Sequence, residues 1–145
     1  MKPIFLSLFI ALSALASNAQ AHHNLSNPVY LLNALLDCNS EQEMRKVLEH
    51  YNFDELIQDD GFISYYYTDG TIISFKVNNI SNRKVIPLIN VYSKHKKKDI
   101  EKVLLNLGFE KTDKDFTKGS KHTQSQVVCS FTSPHSISCT RHYNR

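Results

Sequence analysis

The chain lacks the short signatures that tie a sequence to one reaction. Its 145 residues contain no nucleophile elbow, phosphate-binding loop, paired zinc-binding cysteines, zincin helix or calcium loop, and each of those motifs exists because one chemistry needs a fixed local geometry. Seven histidines are present, His22, His23, His50, His95, His122, His135 and His142, but none stands at the short helical or hairpin spacing that brings two imidazoles onto one metal ion. No cofactor is expected, and a binding role is favoured over an enzyme. Long apolar runs are also missing: the stretch from Ile4 to Ala16 is too short to span a membrane, and no second one follows. Cysteine is scarce, and Cys38, Cys129 and Cys139 cannot all pair within one monomer, so one thiol is left over. A core is not lacking. With 41% hydrophobic and 21% charged residues the composition is that of a folded domain.

Lys2 precedes the apolar run, and Ala19-Gln20-Ala21 has the small-x-small form of a signal peptidase site. Residues 1–21 are therefore expected to be a signal peptide, with a secreted or periplasmic protein beginning at His22 and no cysteine nearby to accept a lipid. The free amine and ring nitrogen that His22 would then offer together resemble the copper-binding histidine brace of some exported proteins, which would make His22 a metal ligand. Export also favours disulfides.

The remaining sequence is organised by a repetition. Lys46, Val47, Leu48, Phe53, Ser74 and Phe75 return at one constant offset as Lys102, Val103, Leu104, Phe109, Ser130 and Phe131, with no gap between the helical and the extended segment. The expected fold is α+β: two related units of helix packed on antiparallel sheet, residues 22–93 and 94–145, the first unit preceded by an extra helix.

Asn27 caps that extra helix with Pro28 at its first position, where no N–H is needed, and it ends near Cys38. Ser40 with Glu43 forms a capping box for the next, whose stripe is Met44, Val47, Leu48 and Tyr51 and whose C-terminal cap is Asn52. Asp69-Gly70 predicts a two-residue type I′ hairpin between strands Phe62–Thr68 and Thr71–Val77. Pairing Thr68 with Thr71 puts Phe62, Ser64, Tyr66, Ile73, Phe75 and Val77 on one face and Ile63, Tyr65, Tyr67, Ile72, Ser74 and Lys76 on the other. One face receives the helices. The other, with Tyr65, Tyr67 and Ile72, is either covered by the second unit or left as an aromatic binding surface. A polar loop from Asn78 to Lys84 leads to a strand ending at Tyr92, with Pro87 near its start or on an edge.

In the second unit Asp99 is the expected cap, Ile100, Val103, Leu104 and Leu107 the buried stripe, and Gly108 the end of the helix. A polar tract from Lys111 to Gln124 follows. A hairpin with the loop Ser133-Pro134-His135 would set Cys129 directly opposite Cys139, so a bridge between these two is favoured, with Cys38 as the alternative partner of either.

The formal net charge of +3 hides an asymmetry. Residues 22–82 hold nine acids against three Lys/Arg, and residues 83–145 hold thirteen Lys/Arg against five acids. The halves could attract each other, or the acidic one could steer a basic target. The basic connector Lys94, Lys96, Lys97 and Lys98 reads as solvated linker, and nucleic acid is not the favoured partner.

The order helix, helix, hairpin sheet, then helix and hairpin sheet again, after a leader, resembles the β-lactamase inhibitory proteins and, more loosely, small periplasmic immunity proteins. That resemblance implies a non-catalytic binder of another exported protein, a toxin or hydrolase, through aromatic residues on a sheet face, here Tyr65, Tyr67, Ile72 and Tyr92. Separately, Leu107-Gly108-Phe109 followed by Gly119-Ser120-Lys121-His122 is similar to the HicA-type toxin ribonucleases, which would make His122 a catalytic residue. Lys121 interrupts that family's glycine-serine-histidine run.

Overall fold

The computed structural model describes residues 27–56, 61–80, 83–119 and 125–143. The expected signal peptide, His22 and His122 lie outside them. A 3₁₀ turn, Pro28–Leu31, runs into α1, Leu32–Asp37, and is followed by α2, Glu41–His50. Strands β1, Asp54–Glu55, β2, Phe62–Tyr66, β3, Ile72–Ile80, and β4, Arg83–Tyr92, complete the first half. Then α3, Lys97–Asn106, leads to β5, Glu110–Lys111, β6, Asp115–Gly119, β7, Ser125–Ser133, and β8, Ser136–Tyr143. All eight strands form one antiparallel sheet in the order β1-β2-β3-β4-β8-β7-β6-β5, so the chain is α+β with a sheet-dominated core. Among the described residues no helix is long and apolar enough to cross a membrane.

Local chemistry sets the helix ends. The Asn27 side chain accepts from the Val29 N–H at 3.0 Å, and the Ser40 hydroxyl accepts from the Glu43 N–H at 3.2 Å. Glu43 turns back to the Asn39 N–H, one residue earlier than a capping box requires. Asn52 adopts φ 60° and Gly108 φ 87°. At these two places the chain closes α2 and α3 identically: Phe53 N–H donates to Leu48 O and Phe109 N–H to Leu104 O, while Asn52 N–H reaches Glu49 O and Gly108 N–H reaches Leu105 O. Each is a Schellman closure, and the offset between them is that of the sequence repetition. The cap expected at Asp99 moves, however. α3 begins at Lys97 with Lys96 as its N-cap and no side-chain bond, and Asp99 sits in the first turn, where its charge favours the helix dipole.

Strand registers continue the correspondence. Across the first half the ladder runs Asp54, Tyr66, Ile72, Tyr92, and across the second Glu110, Thr117, Val128, Thr140. The first and third members of these rows again stand at the repeat offset. β4 and β8 pair from Leu88↔Thr140 to Tyr92↔Ser136, with Asn90↔Ser138 at the middle.

Three sequence expectations need correction. Tyr66 pairs Ile72, not Tyr67, so the hairpin register differs by one from that set by Thr68 against Thr71. The loop holds three residues, Thr68, Asp69 and Gly70; the Tyr67 N–H donates to Thr71 O, and Asp69 accepts from the Thr71 N–H at 2.7 Å. Only Gly70, at φ 90°, takes the left-handed region, whereas a type I′ turn would need two such residues. A one-residue slip exchanges the faces of a whole strand. Second, much of the supposed loop from Asn78 to Lys84 is strand, with Ile80 paired to Arg83. Pro87 lies inside a central strand and not near its start, but β3 is bulged between Lys76 and Asn78 there and β8 pairs only from Leu88 onward, so a missing N–H breaks no ladder. Third, the tract from Lys111 to Gln124 contains β6, whose Phe116 is buried.

The helices and one face of the sheet share a single core. Met44 and Leu48 of α2, Ile100, Val103 and Leu104 of α3, and Leu32 and Leu35 of α1 pack with Ile63, Tyr65, Ile73, Phe75, Ile89, Val91, Phe116, Val127 and Ile137. Cys129 and Cys139 are joined across β7 and β8 on this same face. The turn between them is shorter than expected, Pro134-His135, but a bulge between Phe131 and Ser133 restores the register that sets the cysteines opposite each other.

Candidate functional site

Because every second residue of a strand points the same way, burying Ile63, Tyr65, Ile73, Phe75, Ile89, Val91, Ile137 and Cys139 leaves the intervening residues on the opposite face. Among the described residues none of that opposite face is buried, and all the helical core residues belong to the other side. A polar row crosses it: Ser64, Ser74, Asn90, Ser138, Ser130 and Asp115 are successive ladder partners. The Ser64 and Ser74 hydroxyls lie 2.8 Å apart, and Ser130 donates to the Asp115 carboxylate at 2.5 Å. Beside it runs a second row, Tyr66, Ile72, Tyr92 and Ser136.

Tyr66 and Tyr92 are 40% and 44% exposed, which for rings on a sheet means one broad side meets solvent. Between the rows lies a groove of about 330 Å³ lined by Ile72, Ser74, Asn90, Tyr92, Thr132 and Ser136. Tyrosines, a branched apolar chain and hydroxyls give an amphipathic surface with few charges.

The residues expected to bind are divided by the register. Ile72 and Tyr92 stand on the open face and line the groove. Tyr65 is 1% exposed and faces the helices. Its ring lies parallel to that of Phe75, and its hydroxyl accepts from Arg45 at 3.0 Å. Burial pushes the Tyr65 phenol above its ordinary pKa, opposed by the Arg45 hydrogen bond and charge. Tyr67 is half-buried with its ring 4.9 Å from that of Phe53. Tyr66, Ser74, Asn90, Thr132 and Ser136 replace them. The exchange follows from the three-residue loop, in which Gly70 alone is left-handed and Tyr66 rather than Tyr65 is sent outward; the sequence at Asp69-Gly70 is compatible with either loop.

On the helix side two groups are enclosed. Cys38 is buried and free, its thiol donates to Ala34 O at 3.2 Å, and burial pushes its pKa up to about 11. Arg141 is 7% exposed, and its guanidinium reaches Cys38 O at 3.5 Å while its Nε has no partner. Among the described residues no three His, Cys, Asp or Glu side chains converge as a metal ion would require.

Compared with known protein families, curated proteins and solved structures, the chain matches none.

Proposed function

We propose that this is an exported, non-catalytic protein-binding protein of the inhibitor or immunity type, built from two related helix-and-sheet units and acting through the open face of its sheet. The observation that carries the reading is the uncovered row Tyr66, Ile72, Tyr92 beside a hydroxyl-rich groove, on the side of a rigid eight-stranded platform that the helices leave free. Two-torsion aromatic rings bury large area at small entropic cost, and serine and threonine hydroxyls satisfy a partner's backbone groups. The groove lining holds neither a nucleophile with a base nor a convergent set of acids, which favours recognition over turnover.

The matching Schellman closures and strand registers support the two-unit reading. The leader residues support export.

The test is affinity capture from the exported fraction with the wild-type chain, with Tyr66→Ser/Tyr92→Ser, and with Leu105→Ser as a control on the outer side of α3, where Leu105 is exposed. Partners retained by the wild type and the control should be lost by the double variant. Equal capture by all three would end the reading.

A further inference from the structure

At one end of the groove three connections converge: the β2–β3 loop at Asp69 and Gly70, the β4–α3 link from Ser93 to Lys96, and the β7–β8 turn at Pro134-His135. They are tied together. The Ser93 N–H donates to His135 O at 2.8 Å, the His135 ring Nδ1 lies 3.1 Å from Ser93 O and 3.3 Å from His95 O, and His95 Nε2 lies 3.8 Å from an Asp69 carboxylate oxygen. The Lys94 side chain lies over Gly70, where a Cβ would meet its Cε at 2.5 Å.

This junction holds Lys94 and Lys96 in the β4–α3 link, with Lys97 and Lys98 following in the first turn of α3, all exposed. Several basic side chains elsewhere are engaged: Arg45 with Glu41 and Glu55, Lys111 with Glu101, Lys118 with Asn33 and Leu107 O. Among the described residues Lys94, Lys96 and Lys98 make no ion pair. Tyr92 joins the two features, since it lines the groove and its ring centroid lies 6.3 Å from that of His135.

We infer that the open face takes an acidic polypeptide segment, an apolar side chain of which seats in the groove beside Ile72 and Tyr92 while flanking carboxylates meet Lys94 and Lys96. This rests on the docking reading above and names its partner class. Charge complementarity selects the sign: the exposed charges in the link beside the groove are Lys94 and Lys96, the nearby Asp69 carboxylate faces His95, and Glu41, Glu43 and Glu49 belong to α2 in the helix layer, as Lys97 and Lys98 belong to α3. The shape of the patch selects polypeptide over nucleic acid. A strand of phosphates needs a basic track along its path, but the polar row crossing the sheet carries no basic residue and ends in Asp115.

The experiment maps backbone amide shifts of the mature chain by NMR during titration with three probes. These are the peptide Glu-Glu-Leu-Tyr-Glu-Glu, its counterpart with lysine for every glutamate, and a six-nucleotide single-stranded RNA. The acidic peptide should shift Ile72, Asn90, Tyr92, Lys96 and Thr132 and bind at least tenfold more tightly than the basic one at low salt. Lys94→Glu/Lys96→Glu should weaken it about tenfold, and Tyr92→Ser several-fold, with strand dispersion unchanged. Equal binding of both peptides, indifference to charge reversal, or tighter RNA binding at the same residues would overturn the inference. In the capture experiment, partners lost with Tyr66→Ser/Tyr92→Ser but kept by Lys94→Glu/Lys96→Glu would leave the docking reading standing and remove the acidic partner. Partners kept by both variants would remove both.

Discussion

Arg45 and Glu101 occupy the same turn of helices α2 and α3, related by the repeat offset, carry opposite charge, and each finds a counter-charge at the same place in the following short strand. Arg45 meets Glu55 at 2.6 Å, and Glu101 meets Lys111 at 3.5 Å. One turn earlier the inversion continues, with Glu41 bonded to Arg45 at 2.9 Å and Lys97 in the matching position of α3. Acid, base, acid in one half is base, acid, base in the other. The glutamate bond holds the Arg45 guanidinium still more firmly protonated than usual.

If the two sites are electrostatic images of each other, their polarity should be exchangeable. Arg45→Glu alone sets three acids together beside the half-buried pair and should cost about 1–2 kcal/mol in urea unfolding, since partly exposed pairs contribute up to about 1 kcal/mol and like charges reverse the sign. Adding Glu41→Lys and Glu55→Lys should recover most of the loss. A triple variant no more stable than the single one would show that Arg45 is held by something other than charge, such as its bond to Tyr65.

The buried face makes a separate prediction about the tyrosines. Tyr65→Ser removes an enclosed ring and leaves Arg45 without its phenol partner, so it should destabilise by about 3–5 kcal/mol, in the range of large-to-small core substitutions. Tyr65→Phe, which keeps the ring, should cost only about 1 kcal/mol. Tyr66→Ser and Tyr92→Ser, on the open face, should each fall within about 1 kcal/mol of wild type. Thermal or urea unfolding ranks them, and a Tyr92 variant as unstable as Tyr65→Ser would place that ring in the core.

Helix phase and the helix ends other than the start of α3, which was expected at Asp99 and lies at Lys97, were legible because they depend on near neighbours. Ser40 predicts its own bond to Glu43, and the pairing of Asn52 with Gly108 follows from a shared need for positive φ. Strand register was not legible by the same means. From Phe62 to Tyr67 both alternations are partly apolar, so the pattern could not choose between Tyr65 and Tyr66, and Asp69-Gly70 fits a two-residue and a three-residue loop equally well. Short edge strands such as Glu110–Lys111 carry no periodicity at all and exist only because β6 lies beside them. The site was therefore legible at Ile72 and Tyr92 and invisible at Tyr66 and Asn90, which reach the open face through a pairing made by residues far apart in the chain.

The cysteines divide sharply by reactivity. Cys129 and Cys139 are bonded across neighbouring strands, whereas Cys38 is buried and its thiol pKa is raised to about 11, from 9.0, chiefly by desolvation, with Glu43 and Asp37 adding to it and Arg141 opposing. A thiolate is the nucleophile, so native Cys38 should resist iodoacetamide at pH 8 and react as one equivalent only after unfolding in urea. The same shift links stability to pH. The folded state holds the proton more tightly than the unfolded one, so the contribution of the neutral thiol is complete below about pH 9 and is lost as pH rises toward 11. Cys38→Ala removes the titrating group. The difference in unfolding free energy between wild type and Cys38→Ala should therefore be flat below pH 8 and shift against the wild type from pH 9 to 11. Rapid native alkylation, or a difference that stays level through that window, would mean that the thiol is open to water.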